Sequence, residues 1–504
     1  MKDRVYVFDT TLRDGDQASG FHMFGHEKRD IARQLATLGV DIIEAGFAAS
    51  SAGDAESIKS IAEEIGQGGG PVICSLARAV QSDIIAAGRA IEPAKNKRIH
   101  TFIATSDGHI AGKFRKDRDW VVEQAVKSIR LAREFTDDVE FSCEDFGRSD
   151  NNYTVDVVSA AIEAGATTIN LPDTVGFLMP HECFDKFRYV IEAVRGKGLD
   201  AIFSVHNHND FGMATATSLA AIMAGARQVE VTINSIGERA GNTSLEEIVA
   251  VINERKPAEV YCGVDTSQIG PTSRLVSRIT GVAPQPNKAI VGKNAFAHEA
   301  GIHQDGMIKD SSTYEIMNPK DYGMESVLTF GARSGSAALR QKYHSLEIEM
   351  DDETFATCAE RFFTIADERK EIDDADVIMS ACGVAMNNQY EVSHFHPMVN
   401  GEFKAFVEIT SSSGRRYRNA AVGNGQIDAA FRSIQEAIGV DYHVVDFQVR
   451  SNGQGSDSSG ISRIEMTNGT HCVIGRGEHT DVVSSAIEAY VDGCNRLGYI
   501  SEVK

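Results

Sequence analysis

The chain has 504 residues, too many for one compact core, which predicts two or three domains. Its hydrophobic content of 42% is ordinary for a globular protein, and no apolar run approaches the roughly 18 residues of a membrane span. A formal charge of −22 argues against nucleic acid or an anionic membrane as the main partner. The N-terminus lacks a signal-peptide pattern and the eight cysteines form no C-x-x-C pair, which predicts a cytoplasmic protein with reduced thiols.

The first half of the chain alternates apolar, β-rich segments with amphipathic, helix-like segments. The predicted strands are Val5–Thr10, Asp41–Phe47, Val72–Leu76, Arg98–Ala104, Asp138–Cys143, Thr167–Leu171, Ile202–His206 and Gln228–Ile233. The amphipathic stretches include Glu27–Leu38, Trp120–Phe135, Thr154–Ala164, His181–Gly196 and Ala214–Ala224. Eight β-α units in about 250 residues predict a TIM (β/α)8 barrel over residues 1–280, with a doubly wound open sheet as the competing α/β interpretation.

The pattern changes after residue 280. Pro284 and Pro286 mark a break, and a Gly- and His-rich segment, Val291–Met307, follows. The periodicity then predicts helices over Ala337–Tyr343, Asp352–Arg369 and Asp374–Ala381. Residues 281–388 are therefore expected to form a helical linker region.

Residues 389–504 predict an α+β domain made of two repeats. Each copy reads as a hairpin, a G-x-G, an acidic residue and a helix, and the two copies should pack on each other. A G-x-G before a helix can cradle an anion, although glycines of a tight turn are the simpler interpretation. The residues of this pattern are Gly423, Gly425 and Asp428 in the first copy and Gly475, Gly477 and Asp481 in the second.

The strongest chemical signal is the pair His206 and His208 at the end of the seventh predicted strand. Residues i and i+2 of a strand point to the same side, so both imidazoles can bind one divalent cation. Asp14, after the first strand, is a candidate third ligand, and Asn242, after the eighth, could bring its amide oxygen to the same ion. Arg13 would direct a fixed cation at a substrate oxygen. For the histidine pair, the alternative is that one is a core residue and the other lies on the surface. For Arg13 and Asp14, the alternative is solvated charge at a surface turn.

Two further polar groups follow neighbouring strands at the same predicted face of the barrel. Glu144 follows the fifth strand and Thr174 the sixth. Each alone is more often a helix-capping residue, but together they could line a pocket for an oxo acid.

The chain resembles the metal-dependent barrel synthases that condense acetyl-CoA with a 2-oxo acid, a family that includes 2-isopropylmalate, citramalate and homocitrate synthases. The resemblance rests on residues 8–20, 41–54, 98–106, 138–149, 165–176, 206–212 and 228–247 and on the stretch 287–306. Residues 389–504 are similar to the regulatory domain of the family, which binds the end-product amino acid. The resemblance thus covers nearly the whole chain.

The resemblance implies a divalent cation, Mg²⁺ or Mn²⁺ before Zn²⁺, with acetyl-CoA as co-substrate. It implies metal ligation by Asp14, His206 and His208, with Asn242 in or beside the coordination shell. It assigns Arg13 to the substrate oxygen. It also places Glu144 in the polar network of the reacting centre, His100 near the 2-oxo acid, and His303 with Tyr314 over the active site of a neighbouring subunit, so that a homodimer with shared active sites is expected.

The expected reaction is the formation of 2-isopropylmalate from acetyl-CoA and 3-methyl-2-oxobutanoate, with leucine as the inhibitor. The alternatives are a citramalate synthase that uses pyruvate and responds to isoleucine, a homocitrate-type synthase, a metal-dependent acyl-CoA lyase, and an amino-acid sensor without turnover. Two departures from the family pattern bear on these alternatives: Asp16, where Glu is usual, and the altered motif 331–336. The shorter Asp16 is expected to weaken or reroute a contact to a ligand or to Arg13.

Overall fold

The computed structural model describes residues 3–301, 303, 304, 306, 310, 313–399, 402–453 and 458–503. Positions 302, 305 and 307 of the Gly- and His-rich segment lie outside the described residues. The chain divides into two compact units. The first comprises Met1–Phe296 with Met317–Ser326, and the second comprises Ala297–Ile316 with Val327–Lys504.

Eight parallel strands in the first unit pair in chain order and close on themselves, which confirms the predicted TIM barrel. Strands β1 to β8 are Tyr6–Asp9, Ile42–Glu44, Val72–Arg78, Lys97–Ala104, Val139–Glu144, Thr168–Asp173, Ile202–Asn207 and Gln228–Val231. The barrel closes where Tyr6–Asp9 pairs with Gln228–Val231. The open-sheet alternative is therefore wrong.

Helices follow the strands around the barrel. Helices α1 to α9 are Gly25–Leu38, Ala52–Glu64, Gln81–Ala90, Arg118–Ala132, Asn151–Ala164, Pro180–Gly196, Ala214–Ala224, Leu245–Arg255 and Ile269–Thr280. The second, third, eighth and ninth were not among the predicted stretches. The third is short and contains Gly88, where a Cβ atom would lie 2.4 Å from the ring of Phe135. The apolar periodicity of this short helix is therefore weak. The close approach of the Phe135 ring explains why the helix has glycine at position 88.

The strands alternate between apolar residues that face the helices and residues inside the barrel, many of which are polar. Ile169 and Leu171 belong to the apolar core of the first unit, whereas polar side chains of other strands bond to one another within the barrel. Arg98 donates to Glu140 at 2.8 Å, and Gln228 donates to the same carboxylate at 2.7 Å. The barrel interior thus combines hydrogen-bonded polar side chains with a small apolar cluster of Phe8, Ile42 and Cys74, and the candidate site lies at the C-terminal ends of the strands.

The three helices predicted after the barrel are confirmed in the second unit. Helices α10 to α12 are Ser336–Ser345, Asp352–Glu368 and Asp374–Cys382. A short parallel pair, β9 (Ala297–His298) and β10 (Val327–Leu328), precedes them.

The C-terminal region contains the two predicted repeats, but each has three antiparallel strands where the sequence indicated a hairpin. The first copy is β11 (Tyr390–Val399), β12 (Phe403–Ser411), β13 (Arg416–Gly423) and α13 (Gln426–Ile438). The second copy is β14 (His443–Ser451), β15 (Gly460–Thr467), β16 (Cys472–His479) and α14 (Val482–Val503). The helices of the two copies meet where Phe431 stacks on Tyr490, with ring centroids 4.2 Å apart.

The two G-x-G motifs do not occupy equivalent positions, which corrects the predicted repeat. Gly423 ends β13 and Gly425 caps α13, as predicted, but Gly475 and Gly477 lie inside β16. A Cβ atom on Gly475 would lie 2.0 Å from the carbonyl oxygen of Ala489, and one on Gly477 would be equally crowded by α14. The second pair of glycines therefore allows a strand to approach a helix closely and does not form a loop before it.

Strand β16 is an edge strand whose outward N–H groups are covered by carboxylates. The amide of Cys472 donates to Asp374 at 2.9 Å, and that of Ile474 donates to Asp373 at 2.8 Å. Both aspartates lie at the start of α12, and Arg496 of α14 neutralises Asp373 with an N–O distance of 2.9 Å. This ion cluster fixes α12 on the second repeat, and it satisfies an edge that would otherwise be open to pairing.

All eight cysteines are free thiols, as the sequence predicted. Among the described residues, no helix combines the length and apolar character needed to cross a membrane.

Candidate active site at the C-terminal ends of the barrel strands

A cavity of about 220 Å³ opens at the C-terminal ends of the barrel strands and collects most of the predicted residues. The predicted side chains that line it are Arg13, Asp14, His100, Glu144, Thr174, His206 and His208. They come from β1, β4, β5, β6 and β7 or from the turns that follow. The closure of the barrel alone brings them together, because the carboxyl ends of parallel strands share one rim.

His206 and His208 present their Nε2 atoms to each other at 3.3 Å, as the strand geometry predicted. On its far side, His206 Nδ1 lies 2.9 Å from a carboxylate oxygen of Glu230. Burial lowers the pKa of both imidazoles to about 4, so both rings are neutral near pH 7. A neutral imidazole is the form that binds a cation.

Asp14 completes a buried group with the two histidines, and one ligand atom from each lies within 4.8 Å of the other two. Burial alone would raise the pKa of the Asp14 carboxyl, but Arg13, the two histidines and the hydrogen bond from Asn242 together outweigh burial and keep that pKa well below its ordinary value. Arg13 Nη1 donates to one carboxylate oxygen at 2.6 Å, and Asn242 Nδ2 donates to the other at 2.7 Å.

The donor set fits a divalent cation. Two imidazole nitrogens and a carboxylate converge, and Asn242 Oδ1 is buried without a hydrogen-bond partner among the described residues. Gly237, at φ +151°, lets the backbone of the loop after β8 lie close to the Asn242 side chain, because a Cβ atom there would be 2.0 Å from Asn242 Nδ2. The amide oxygen of Asn242 is therefore free to join the other donors.

Glu44, which the sequence analysis did not single out, connects the site across three strands. Its Oε2 accepts from Arg13 Nε at 2.6 Å and from Thr10 Oγ1 at 2.6 Å, and its Oε1 lies 2.7 Å from His100 Nδ1. Burial alone would raise the pKa of the Glu44 carboxyl. Arg13 and His100 outweigh the effect of burial and lower this pKa to about 2. A carboxylate inside the otherwise apolar run 42–47 was the signal that would have identified Glu44.

Glu144 and Thr174 lie at the cavity with different partners. Both carboxylate oxygens of Glu144 accept from Lys113 Nζ, at 2.9 and 3.0 Å. Thr174 Oγ1 accepts from the amide of Asp145 at 2.9 Å, and its carbonyl accepts from Arg239. Thr174 thus supports the loop after β5 and also lines the cavity.

The Asp16 carboxylate does not bond to Arg13, although the backbone N–H of Asp16 donates to the Arg13 carbonyl. Its Oδ1 accepts from the amide of Met23 at 2.7 Å, and its Oδ2 pairs with Lys28 Nζ at 2.8 Å. Lys28 is buried and also pairs with Asp54. The shorter carboxylate therefore serves a buried ion pair next to the site and does not bond to the site itself.

The remaining predicted residues belong to the second unit. The rings of His303 and Tyr314 lie 4.3 Å apart between centroids. Asp428 accepts from the amide of Asn424, and Asp481 accepts from the amide of Ser484, so each carboxylate satisfies backbone donors near the start of a helix.

Three family models match successive parts of the chain. An HMGL-like model matches residues 4–276, a homocitrate synthase post-HMGL domain-like model matches 290–370, and a LeuA allosteric (dimerisation) domain model matches 370–498. The first therefore covers more than half of the chain.

Curated relatives match over nearly their full lengths. A 2-isopropylmalate synthase from Parabacteroides distasonis is 42% identical, with 99% of each chain covered. The enzyme of the same name from Campylobacter concisus is 45% identical, with 98% of each chain covered. That from Thiobacillus denitrificans is 46% identical, with 99% of this chain and 98% of the relative covered. The chain belongs to the 2-isopropylmalate synthase family of acetyl-CoA-dependent condensing enzymes.

Proposed function

We propose that the chain condenses acetyl-CoA with 3-methyl-2-oxobutanoate and hydrolyses the resulting thioester to 2-isopropylmalate and CoA. The observation that carries this proposal is the convergence of Arg13, Asp14, His206 and His208 on one cavity. A fixed cation, a carboxylate and two neutral imidazoles together suit a 2-oxo acid, whose adjacent oxygens chelate a metal.

Mg²⁺ or Mn²⁺ is the proposed cation, with Zn²⁺ as the alternative, and Asp14, His206, His208 and the Asn242 oxygen would hold it. When bound, it polarises the 2-oxo carbonyl as a Lewis acid. Arg13, held by Glu44 and Asp14, directs its remaining N–H groups at the oxygen that gains charge.

The carbon–carbon bond forms after a base removes a proton from the acetyl methyl group. We assign this step to His303 with Tyr314, supplied to the barrel by the second chain of a homodimer. The carbanion attacks the 2-oxo carbon, the new alkoxide takes up a proton, and water then cleaves the thioester. Cleavage releases CoA and makes the overall reaction effectively irreversible.

The cavity also bears on the choice of acceptor. Leu76, Phe102 and Pro172 contribute apolar surface beside His100 and Thr174. An apolar wall favours a branched side chain over a methyl group, although each methylene is worth only about 1–3 kcal/mol. This supports 3-methyl-2-oxobutanoate before pyruvate.

Regulation is assigned to the C-terminal repeats. We propose that leucine binds there, at the segment that contains Gly423, Gly425 and Asp428, and inhibits the enzyme, as the match to an allosteric domain model suggests. The proposed enzyme is cytoplasmic.

The decisive experiment measures the release of free CoA thiol from acetyl-CoA with a panel of 2-oxo acids, in the presence of Mg²⁺ or Mn²⁺ and with or without leucine. We expect the highest kcat/KM with 3-methyl-2-oxobutanoate, and inhibition by leucine. A preference for pyruvate would instead identify a citramalate synthase, and a preference for 2-oxoglutarate a homocitrate-type enzyme. Failure to release thiol with any acceptor would refute the synthase proposal.

The variant His208→Ala tests the metal site within the same assay. It should lose bound metal and turnover while retaining the circular dichroism spectrum of the wild type. His181→Ala is the matched control, because His181 is exposed at the start of α6. Full turnover in the His208 variant would show that the metal assignment is wrong.

A further inference from the structure

The two imidazoles of the proposed metal site are not equivalent in their surroundings. A neutral imidazole carries one N–H, and the hydrogen bond made by one ring nitrogen decides whether the other is free to bind a metal. Because the Nε2 atoms of His206 and His208 face each other at 3.3 Å, both must be free of protons to hold one cation together. Each ring must then carry its proton on Nδ1.

Glu230 satisfies this condition for His206. It lies in β8, which pairs with β7, and its Oε2 is 2.9 Å from His206 Nδ1. An ionised carboxylate can only accept a hydrogen bond, so the ring nitrogen donates to the ionised form of Glu230. Glu230 is only 1% exposed, so bulk water does not compete for this contact.

His208 has no corresponding support. Its Nδ1 is buried and has no hydrogen-bond partner among the described residues. The protein therefore fixes the ring orientation and the tautomer of His206 more firmly than those of His208.

We infer that Glu230 is a positioning residue of the metal site, which holds the proton of His206 on Nδ1 and leaves Nε2 free to bind the cation. This inference rests on the proposed function, because it requires the metal site. Carboxylates behind metal-binding histidines typically change metal affinity about 10- to 100-fold.

The test is a calorimetric titration of Mn²⁺ into the full-length, metal-free protein without substrates. Glu230→Met keeps the side-chain length and removes the acceptor, so we expect the Kd for Mn²⁺ to rise about 10- to 100-fold. Glu230→Gln keeps one acceptor oxygen, so its rise should be smaller. Circular dichroism checks that each variant is folded, and the Gln variant decides the question if the Met variant does not fold.

Asp83→Asn is the matched control. Asp83 is also a buried carboxylate, but it pairs with Arg78 at the start of α3 and does not line the cavity, so the Kd for Mn²⁺ should not change. If folded Glu230 variants bind Mn²⁺ as tightly as the wild type, the positioning role is overturned and the metal site stands. If the wild type itself binds no Mn²⁺, both the metal site and the positioning role are overturned.

Discussion

Glu44 accepts a hydrogen bond from Arg13 Nε at 2.6 Å, and the same carboxylate lies 2.7 Å from His100 on its other side. Arg13 follows β1, Glu44 ends β2 and His100 lies in β4. The orientation of two groups at the cavity therefore depends on one buried carboxylate. His100 also lies 2.6 Å from Ser142, so the network extends to β5.

Replacing Glu44 with Gln should lower kcat about 10²- to 10³-fold, an effect comparable to the loss of one oxyanion donor. The neutral amide removes the countercharge of Arg13 and cannot accept from all three partners of the carboxylate. Steady-state kinetics with the preferred 2-oxo acid measures this effect.

Glu247→Gln serves as the control for Glu44, since Glu247 pairs with Lys288 outside the cavity. The kcat of this variant should remain within about twofold of the wild type, because neither residue of this partly buried ion pair lines the cavity. Equal kcat values for the two variants would argue that Glu44 does not orient the reacting groups.

The stability of the protein should depend on pH through Asp9. Burial raises the pKa of this carboxyl from 3.8 to about 7, although Thr11 donates to both of its oxygens. Between these values the folded state keeps a proton that the unfolded state releases. The stabilisation is therefore complete below about pH 4 and is lost as the pH rises to about 7.

Asp9→Asn should remove this dependence, because Asn is neutral and its amide can donate to the Thr11 hydroxyl. The Tm of the variant should rise relative to the wild type between about pH 5 and pH 8. The corresponding gain in the free energy of unfolding has an upper limit of about 4 kcal/mol. Asp137→Asn, at a fully exposed carboxyl, is the control. A Tm difference that stays constant with pH would contradict the prediction.

Arg496→Met should destabilise the second unit. Arg496 is buried and pairs with Asp373, Asp376 and Asp492, so its removal leaves three carboxylates without their shared cation. Breaking a buried ion cluster in this way typically costs about 3–5 kcal/mol. Calorimetric unfolding should show the loss.

Arg432→Met is the comparison for Arg496, because Arg432 pairs with Asp428 on an exposed helix face. Its cost should stay below about 0.5 kcal/mol. If the two variants unfold at the same temperature, the ion cluster does not stabilise the contact between α12 and the second repeat.

The glycines of the two repeats should respond differently to substitution. A Cβ atom on Gly425 meets no described atom within 4 Å, and its φ of −163° suits any residue. Gly425→Ala should therefore preserve the Tm and, if leucine binds at this segment, raise the leucine concentration needed for inhibition. Gly475→Ala should lower the Tm by several degrees, because the new methyl group would overlap the backbone of α14.

A different result would contradict the prediction for each glycine. Unchanged leucine inhibition in Gly425→Ala would move the effector site away from the first G-x-G. An unchanged Tm in Gly475→Ala would show that β16 and α14 are less closely packed than in the structure.

The sequence by itself predicted the barrel, its strands and the residues that we propose for the metal site. Alternation of apolar strands and amphipathic helices is a local signal, and the two-residue period of a strand places His206 beside His208 before any tertiary contact is known. The rule that polar groups at strand ends share one rim then added Asp14 and Asn242.

Only the tertiary structure decided which partners those residues have. Glu44 and Glu230 are single carboxylates in apolar segments, and their roles depend on side chains 31 and 24 residues away in sequence. The position of the second G-x-G depended on the same kind of information, because the crowding at Gly475 comes from a helix that follows in the chain. Residue type and local period determine where a side chain points, whereas the register between strands and the packing of helices determine what it meets.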